Sequence, residues 1–339
     1  MLIPPDEEAV VLRDTASAFG GADRVVLAVS GGLDSMVLLH AAAAVSSTNL
    51  KSLLVATFDH RSGSHSAAAV TFVERHARKL GIKCVEGRAT MPLTREHEWR
   101  EARWSFLRSV SSRLDGPVAT AHTLDDQVET VFMRILRDAG PRGLAGLYAE
   151  SEVLRPFLNL RRSDLEKFAL NHKVKYLDDP SNQSRAHLRN RVRHELLPAI
   201  SKVRPTFASD LLSLAQASAG WRTEIATAVE SVGTPDGNGG LRVARADLAG
   251  YDAESLRTLW PAVAAKAGVV MDRRGTHRLA EFTMRGHTGC SIQLSGGIEV
   301  RMFRDHLLLQ RWDARRVEMV RKSRLRPETA RAWARAETW

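Results

Sequence analysis

Residues 30–35 read Ser30-Gly31-Gly32-Leu33-Asp34-Ser35. Paired glycines let a backbone approach an anion closely, and the amides that open a following helix then point at it. The hydroxyls of Ser30 and Ser35 add donors. Asp34 would repel a bare phosphate, so its presence suggests a divalent cation between carboxylate and phosphate. The spacing is neither a Gly-Lys-Ser/Thr phosphate loop nor a G-x-G-x-x-G turn. A glycine-rich turn with a serine or aspartate helix cap is the plain alternative.

A second constellation is His122-Thr123-Leu124-Asp125-Asp126-Gln127-Val128-Glu129-Thr130. On a helix Asp125 and Glu129 share a face, and acids clustered there can hold Mg2+ or orient an amine nucleophile. Favourable placement of acids at a helix start is the competing explanation. Val128, Val131, Phe132 and Ile135 form an adjoining apolar stripe, expected to hold this helix to a sheet. Upstream, Glu96, Arg100, Arg103 and Leu107 fall on one helical face, beside apolar Trp99, Ala102 and Phe106. Arginines at a ligand edge can neutralise phosphates or charge developing at phosphorus. A surface Glu96–Arg100 pair would be worth only tenths of a kcal/mol. Arg185, Arg189 and Arg193 recur every four residues, beside the apolar stripe Leu188, Val192 and Leu196. That pattern suits a docked helix with arginines facing phosphates, or internal salt-bridge partners.

The elements that must position these groups alternate. Strand patterns at 24–29, 52–58, 82–86, 118–121 and 153–157 are separated by helical patterns at 36–45, 67–80, 94–113 and 124–137. Thr94 reads as an N-cap and Gly81 as a helix stop. Alternation of this length implies βαβ units and a parallel sheet, with ligands beyond the carboxyl ends of the strands. Both constellations directly follow strands. Helical patterns then cover 185–200, 206–232 and 246–267, with a turn-rich break at 233–240. Alternating segments at 291–294 and 299–310 flank a Gly296-Gly297 turn.

The formal charge is +10, unevenly spread: residues 155–204 hold 12 Lys/Arg against 5 Asp/Glu, and residues 301–339 hold 11 against 5. Two basic zones imply a polyanion contacted at two places. Cys84 and Cys290 stand alone, which argues against a zinc ribbon, an iron–sulfur site or a disulfide framework. The acidic start lacks a signal-peptide core and no apolar run approaches a membrane span, so a soluble cytoplasmic protein with no membrane partner is expected.

The loop resembles the pyrophosphate loop of the ATP-pyrophosphatase superfamily, which cleaves ATP between the α and β phosphates. His122-x-x-Asp125-Asp126-Gln127-x-Glu129-Thr130, then Gly140-Pro141-Arg142-Gly143-Leu144-x-Gly146-Leu147, resembles the signature of the tRNA(Ile) lysidine synthetases. Arg155-Pro156, Asp178-Asp179-Pro180-Ser181-Asn182 and Arg189-Asn190-x-Val192-Arg193 continue it in order. Asp59-His60 matches the family's strand-end pair, while Trp99 and Trp104 stand where its arginine helix carries Ala and Tyr. Agreement runs over roughly residues 24–200.

The resemblance implies an α/β fold: a Rossmann-like parallel-sheet domain of the PP-loop, adenine nucleotide α-hydrolase type, over residues 1–204. A mainly helical tRNA-substrate-binding region with a small C-terminal α/β part would follow over 205–320, and a basic tail over 321–339. The implied reaction transfers AMP from ATP to the C2 oxygen of the wobble cytidine, position 34, of the CAU-anticodon tRNA(Ile). The ε-amine of L-lysine then displaces AMP, giving lysidine, AMP and pyrophosphate and shifting codon reading from AUG to AUA. In that scheme Ser30, Gly31, Gly32, Leu33, Asp34, Ser35, Asp59 and His60 bind ATP, with Asp34 as the magnesium ligand. Arg100 and Arg103 stabilise the leaving phosphates. His122, Asp125, Asp126 and Glu129 position lysine or take its proton, and Arg185, Arg189 and Arg193 contact tRNA. No protein partner is expected, and the sequence leaves the oligomeric state open, a homodimer included. A PP-loop tRNA thiolase is the nearest rival, but such enzymes usually carry cysteines for sulfur transfer, a cluster or zinc. A small-molecule synthetase would not need the basic zones.

Overall fold

The computed structural model describes residues 7–49, 52–61, 63–90, 96–178, 185 and 187–312. The Thr94 cap, residues 179–182 and the 321–339 tail lie outside them. The chain divides into two compact units, the second beginning at Gly220.

In the first unit, α1 (Glu7–Phe19) precedes β1 (Arg24–Ala28), α2 (Leu33–Asn49), β2 (Ser52–Asp59), α3 (Ser64–Lys79), β3 (Lys83–Arg88), α4 (Glu96–Leu114) and β4 (Val118–Ala119). The four strands are parallel, in the order β3-β2-β1-β4. Alternation along β1 builds both faces of the sheet. Val25 and Leu27 enter a core with residues of α1, α2 and α3, whereas Val26 joins Leu107 and Val110 of α4. Because the order turns back between β1 and β4, their carboxyl ends flank a crevice at the topological switch point. The Ser30–Ser35 turn and the His122 segment leave from those two ends.

Next come α5 (Leu124–Ile135), α6 (Pro141–Leu144), α7 (Arg162–Asn171) and a helical run of α8 (Leu188–Arg191), a π-turn over Val192–Leu196 and α9 (Leu197–Val203). The expected fifth strand at 153–157 is reduced to one parallel bridge, Ala119 with Leu154. Pro156 has no amide to extend the ladder, and the chain turns there. The apolar stripe of α5 also differs from expectation. Val128, Val131 and Phe132 pack on Val192, Leu211 and Ala215 rather than on the sheet, and Ile135 is exposed. Leu211 and Ala215 belong to α10 (Phe207–Ala228), so the first unit extends past the expected boundary at 204 to Ala219.

The second unit contains β5 (Thr234–Pro235), β6 (Leu241–Ala244), α11 (Ala253–Ala265), α12 (Arg273–Arg285), β7 (Ser291–Leu294), β8 (Ile298–Met302) and β9 (His306–Arg311). Its sheet is antiparallel, ordered β5-β6-β9-β8-β7. One core joins strand residues such as Val300 and Leu307 to Leu279 of α12 and the fully buried Trp260 of α11. Trp260 Nε1 donates to Thr283 Oγ1 at 2.9 Å, meeting its polar requirement. The segment expected as 299–310 is two strands, β8 and β9, and Gly296 and Gly297 both take the positive φ that the preceding turn needs.

Gln127 ties the two halves of the 122–147 signature together. Fully buried, its Nε2 donates to Ala145 O at 2.9 Å and its Oε1 accepts from Leu147 N at 2.6 Å. Gly146 sits between them at φ +60, where a Cβ would lie 2.5 Å from Gln127 Oε1. Gly146→Ala should therefore destabilise the chain by about 1–3 kcal/mol, read as a lower urea midpoint. An unchanged midpoint would show that the Gln127 clamp gives way freely.

Candidate functional site

The loop after β1 is preorganised by its own serines. Ser35 Oγ donates to Gly32 O at 2.9 Å and accepts from Ser30 N at 3.2 Å, and the two hydroxyls lie 3.2 Å apart. Gly31 takes φ +92, a conformation only glycine adopts without strain. Its carbonyl accepts from Leu177 N at 2.9 Å, so the segment after α7 braces the loop. The first α2 bond runs from Met36 N to Gly32 O. The amides of Leu33, Asp34 and Ser35 thus lie ahead of the helical ladder, as an anion site requires.

Asp34 is the loop's electrostatic anomaly. Among the described residues its Oδ1 is buried with no hydrogen-bond partner, and its Oδ2 has only Arg162 Nη1 at 3.4 Å. Burial pushes its pKa up to about 6, against the pull of Arg162. A buried anionic oxygen lacking a donor suits a divalent cation, so the expected Mg2+ fits this residue.

The acids at the start of α5 divide their labour. Thr123 and Asp126 form a capping box, with Asp126 Oδ2 accepting from Thr123 N at 2.9 Å. Asp125 Oδ2 accepts from Arg162 N at 2.7 Å, so Arg162 links Asp125 to Asp34. Glu129 lies under two arginines. Arg189 Nε donates to its Oε2 at 2.9 Å and Arg193 Nε to its Oε1 at 2.5 Å. Both guanidiniums also reach Asp126 Oδ1, at 3.0 and 3.1 Å. Of the two readings open for the arginine stripe, Arg189 and Arg193 take the internal salt-bridge one. Arg189 and Arg193 turn inward because Asp126 and Glu129 are otherwise buried uncompensated anions. Arg185 alone is exposed, in a surface pair with Glu195 at 3.2 Å.

His122 Nδ1 lies 2.8 Å from Thr120 Oγ1. Burial lowers its pKa to about 4, Asp126 opposing and Arg189, Arg155 and Arg103 reinforcing, so the imidazole is neutral at physiological pH. Arg103 sits half-buried on α4, and burial followed by the nearby Arg100 and Arg189 lowers its pKa. Arg100 is exposed at the same rim, and the side chain of Glu96 lies outside the described residues.

Asp59 and His60, expected together at the nucleotide, have different surroundings. Asp59 is committed to structure: its Oδ1 accepts from Arg61 N and Ser66 Oγ at 2.8 and 2.7 Å, and Arg88 Nε is 3.2 Å from its Oδ2. Burial works to raise its pKa, but these donors hold it below the ordinary value. His60 lies against Phe58 and Trp99, with a buried Nδ1 that has no partner among the described residues. Two residues at the site are not evident from sequence patterns. Arg162 opens a short helix with no periodic signal, and Arg155 stands out only as part of a motif.

Residues 9–200 match the family described as the PP-loop domain. A tRNA(Ile)-lysidine synthase of Thermosipho africanus is 34% identical over 199 residues, 56% of this chain and 47% of that protein. One from Petrotoga mobilis is 30% identical over 216 residues, 61% of this chain and 70% of its own length. The chain thus spans about half the length of the Thermosipho relative. A solved U34-tRNA thiolase, NcsA from Methanococcus maripaludis, superposes with a TM-score of 0.51 at 16% identity, covering 62% of this chain and 79% of that one. This last likeness is one of fold.

Proposed function

The chain belongs to the PP-loop family, and on that premise we propose that it is a ligase acting on a tRNA(Ile) wobble base. The C2 oxygen of the cytidine at position 34 attacks the α-phosphate of ATP, releasing pyrophosphate, and the lysine ε-amine then attacks C2 and displaces AMP together with that oxygen. One observation carries this reading: the anion-ready loop with its orphan Asp34 oxygen is linked through Arg162 to the acid-rich start of α5. A nucleotide phosphate and an amine-binding acid cluster thereby face one crevice, as adenylation followed by amine attack demands.

In this reading Ser30, Ser35 and the amides of residues 33–35 hold the phosphates. Asp34 carries Mg2+, which when bound neutralises phosphate charge. Arg100 and Arg103 meet the charge that develops on the leaving group. His122, being neutral, donates or accepts one hydrogen bond and carries no charge into the step. Asp125, Asp126 and Glu129 position the lysine, and one of them takes the proton that its ε-ammonium must lose before the neutral amine attacks C2; an entering cation there takes over acceptors now held by Arg189 and Arg193. Cys84 suits thiolation poorly, since burial pushes its thiol up to about 11, far from a reactive thiolate.

The test incubates the chain with ATP, labelled lysine and tRNA transcripts differing only at the wobble base. Lysine should enter only the cytidine-34 transcript with the CAU anticodon. AMP release with no lysine incorporated would overturn the assignment.

Arg185 is the member of its trio assigned to RNA. Arg185→Ala should reduce the slope of log affinity against log salt by about one unit for that transcript. Its pair with Glu195 is exposed and worth little to the fold, so stability should hold. An unchanged slope removes Arg185 from the interface.

A further inference from the structure

Among the described residues, Arg162 is the one cation within 4.0 Å of Asp34, its Nη1 lying 3.4 Å from Oδ2. The pair is loose beside the rest of the site, where Arg189 Nε and Arg193 Nε lie 2.9 and 2.5 Å from Glu129. One guanidinium nitrogen faces one oxygen, without the second parallel bond that makes arginine–carboxylate pairs strong. The other oxygen, Oδ1, has no partner among the described residues. The Arg162 side chain is 40% exposed, and its Nε already lies 3.4 Å from Glu166 Oε1, one turn along α7. A second acceptor is therefore within reach whenever the first is given up. The backbone of Arg162 lacks this freedom: its amide donates to Asp125 Oδ2 at 2.7 Å, which pins the start of α7 to the start of α5. Asp126, Arg193 and Glu166 also act on Asp34, but Arg193 is committed to Asp126 and Glu129.

Asp34 thus has a weakly held cation on one oxygen and none on the other. Carboxylate oxygens are strong ligands for a divalent cation, whereas a single half-solvated ion pair is worth little. We propose that Arg162 is the resident counter-ion of Asp34, a positioning residue that competes with the divalent cation for this carboxylate and yields to it by turning to Glu166. The loop aspartate is then partly compensated before a nucleotide arrives. Because the Arg162 amide stays on Asp125, the guanidinium remains at the crevice throughout the exchange. The inference rests on the proposed reading only in taking Asp34 as the magnesium ligand.

The experiment measures binding of Mn2+, a magnesium substitute read by electron paramagnetic resonance, on the full chain without tRNA, lysine or turnover. Asp34→Asn should remove the Mn2+ site. Arg162→Met should bind Mn2+ about threefold more tightly than the parent, the worth of a half-exposed ion pair, whereas a merely damaged site could only bind it more weakly. Arg161→Met removes the same charge from the exposed neighbouring side chain and should bind Mn2+ like the parent. Glu166→Gln, which takes away the second acceptor, should bind it more weakly. Arg162→Met binding Mn2+ no more tightly than the parent, or Arg161→Met gaining equally, would overturn the counter-ion role and leave Asp34 as the metal ligand. Mn2+ binding that survives Asp34→Asn would instead sink the metal assignment itself, and the inference with it. Should Arg162→Met fail to fold, Glu166→Gln decides: Mn2+ binding as tight as the parent's would be equally fatal.

Discussion

Asp34→Asn should abolish ATP–pyrophosphate exchange, by about 10²–10³-fold or more, and yet make the ligand-free chain more stable at neutral pH. The two effects share a cause. The side chain is 25% exposed, one of its oxygens has no donor among the described residues, and burial raises its carboxyl pKa to about 6 from 3.8 for the free group. Between those values the folded chain holds a proton that the unfolded chain has released. Stability therefore falls as pH rises through this window, and the full penalty applies above about pH 6. A rise of that size corresponds to about 2–3 kcal/mol, an upper figure for a group with some solvent contact. Removing the charge should raise the melting temperature by several degrees at pH 7.5. Near pH 4 the gain should largely vanish, because the parent carboxyl is then protonated in the folded chain and about half protonated in the unfolded one. Addition of Mg2+ and ATP should stabilise the parent and leave the variant unmoved. Normal exchange in the variant would remove the loop aspartate from the chemistry. Equal stability of parent and variant at pH 7.5 would mean that Oδ1 is solvated in solution.

Glu129→Gln should be the most damaging change of fold among the site residues. The Glu129 side chain is 3% exposed and accepts from Arg189 and Arg193, each 29% exposed. Neutralising it leaves two partly buried guanidiniums sharing only Asp126, and breaking a buried pair from one side typically costs about 3–5 kcal/mol. Urea unfolding should show that loss. The double variant Glu129→Gln/Arg193→Met should lose less than the sum of its parts, with a coupling of about 1–3 kcal/mol, because the surplus cation leaves with its partner. A Glu129→Gln chain within about 0.5 kcal/mol of the parent would show that water already screens the network.

Arg162, Arg189 and Arg193 are held by the carboxylates of the site. Arg189 and Arg193 anchor the π-turn segment to α5, which makes the geometry of the acid cluster depend on a helix 60 or more residues further along the chain.

Motifs that act through the backbone were legible in the sequence. Ser30 to Ser35 after an apolar run specifies a strand, an anion-ready turn and a helix, because glycine conformations and helix-start amides are local properties. The alternation of strands and helices specified the parallel sheet, and with it the edge at which chemistry collects. Side-chain partnership was not legible. Nothing local distinguishes Arg189 and Arg193, which close over Asp126 and Glu129, from Arg185, which stays in solvent, since all three share one spacing. Nor could the sequence reveal that Asp59 is consumed by Arg61, Ser66 and Arg88, or that Arg162 joins Asp34 to Asp125. Backbone conformation depends on a few neighbouring residues, but whether a charge is paired depends on which distant segment folds against it, and only the tertiary structure decides that.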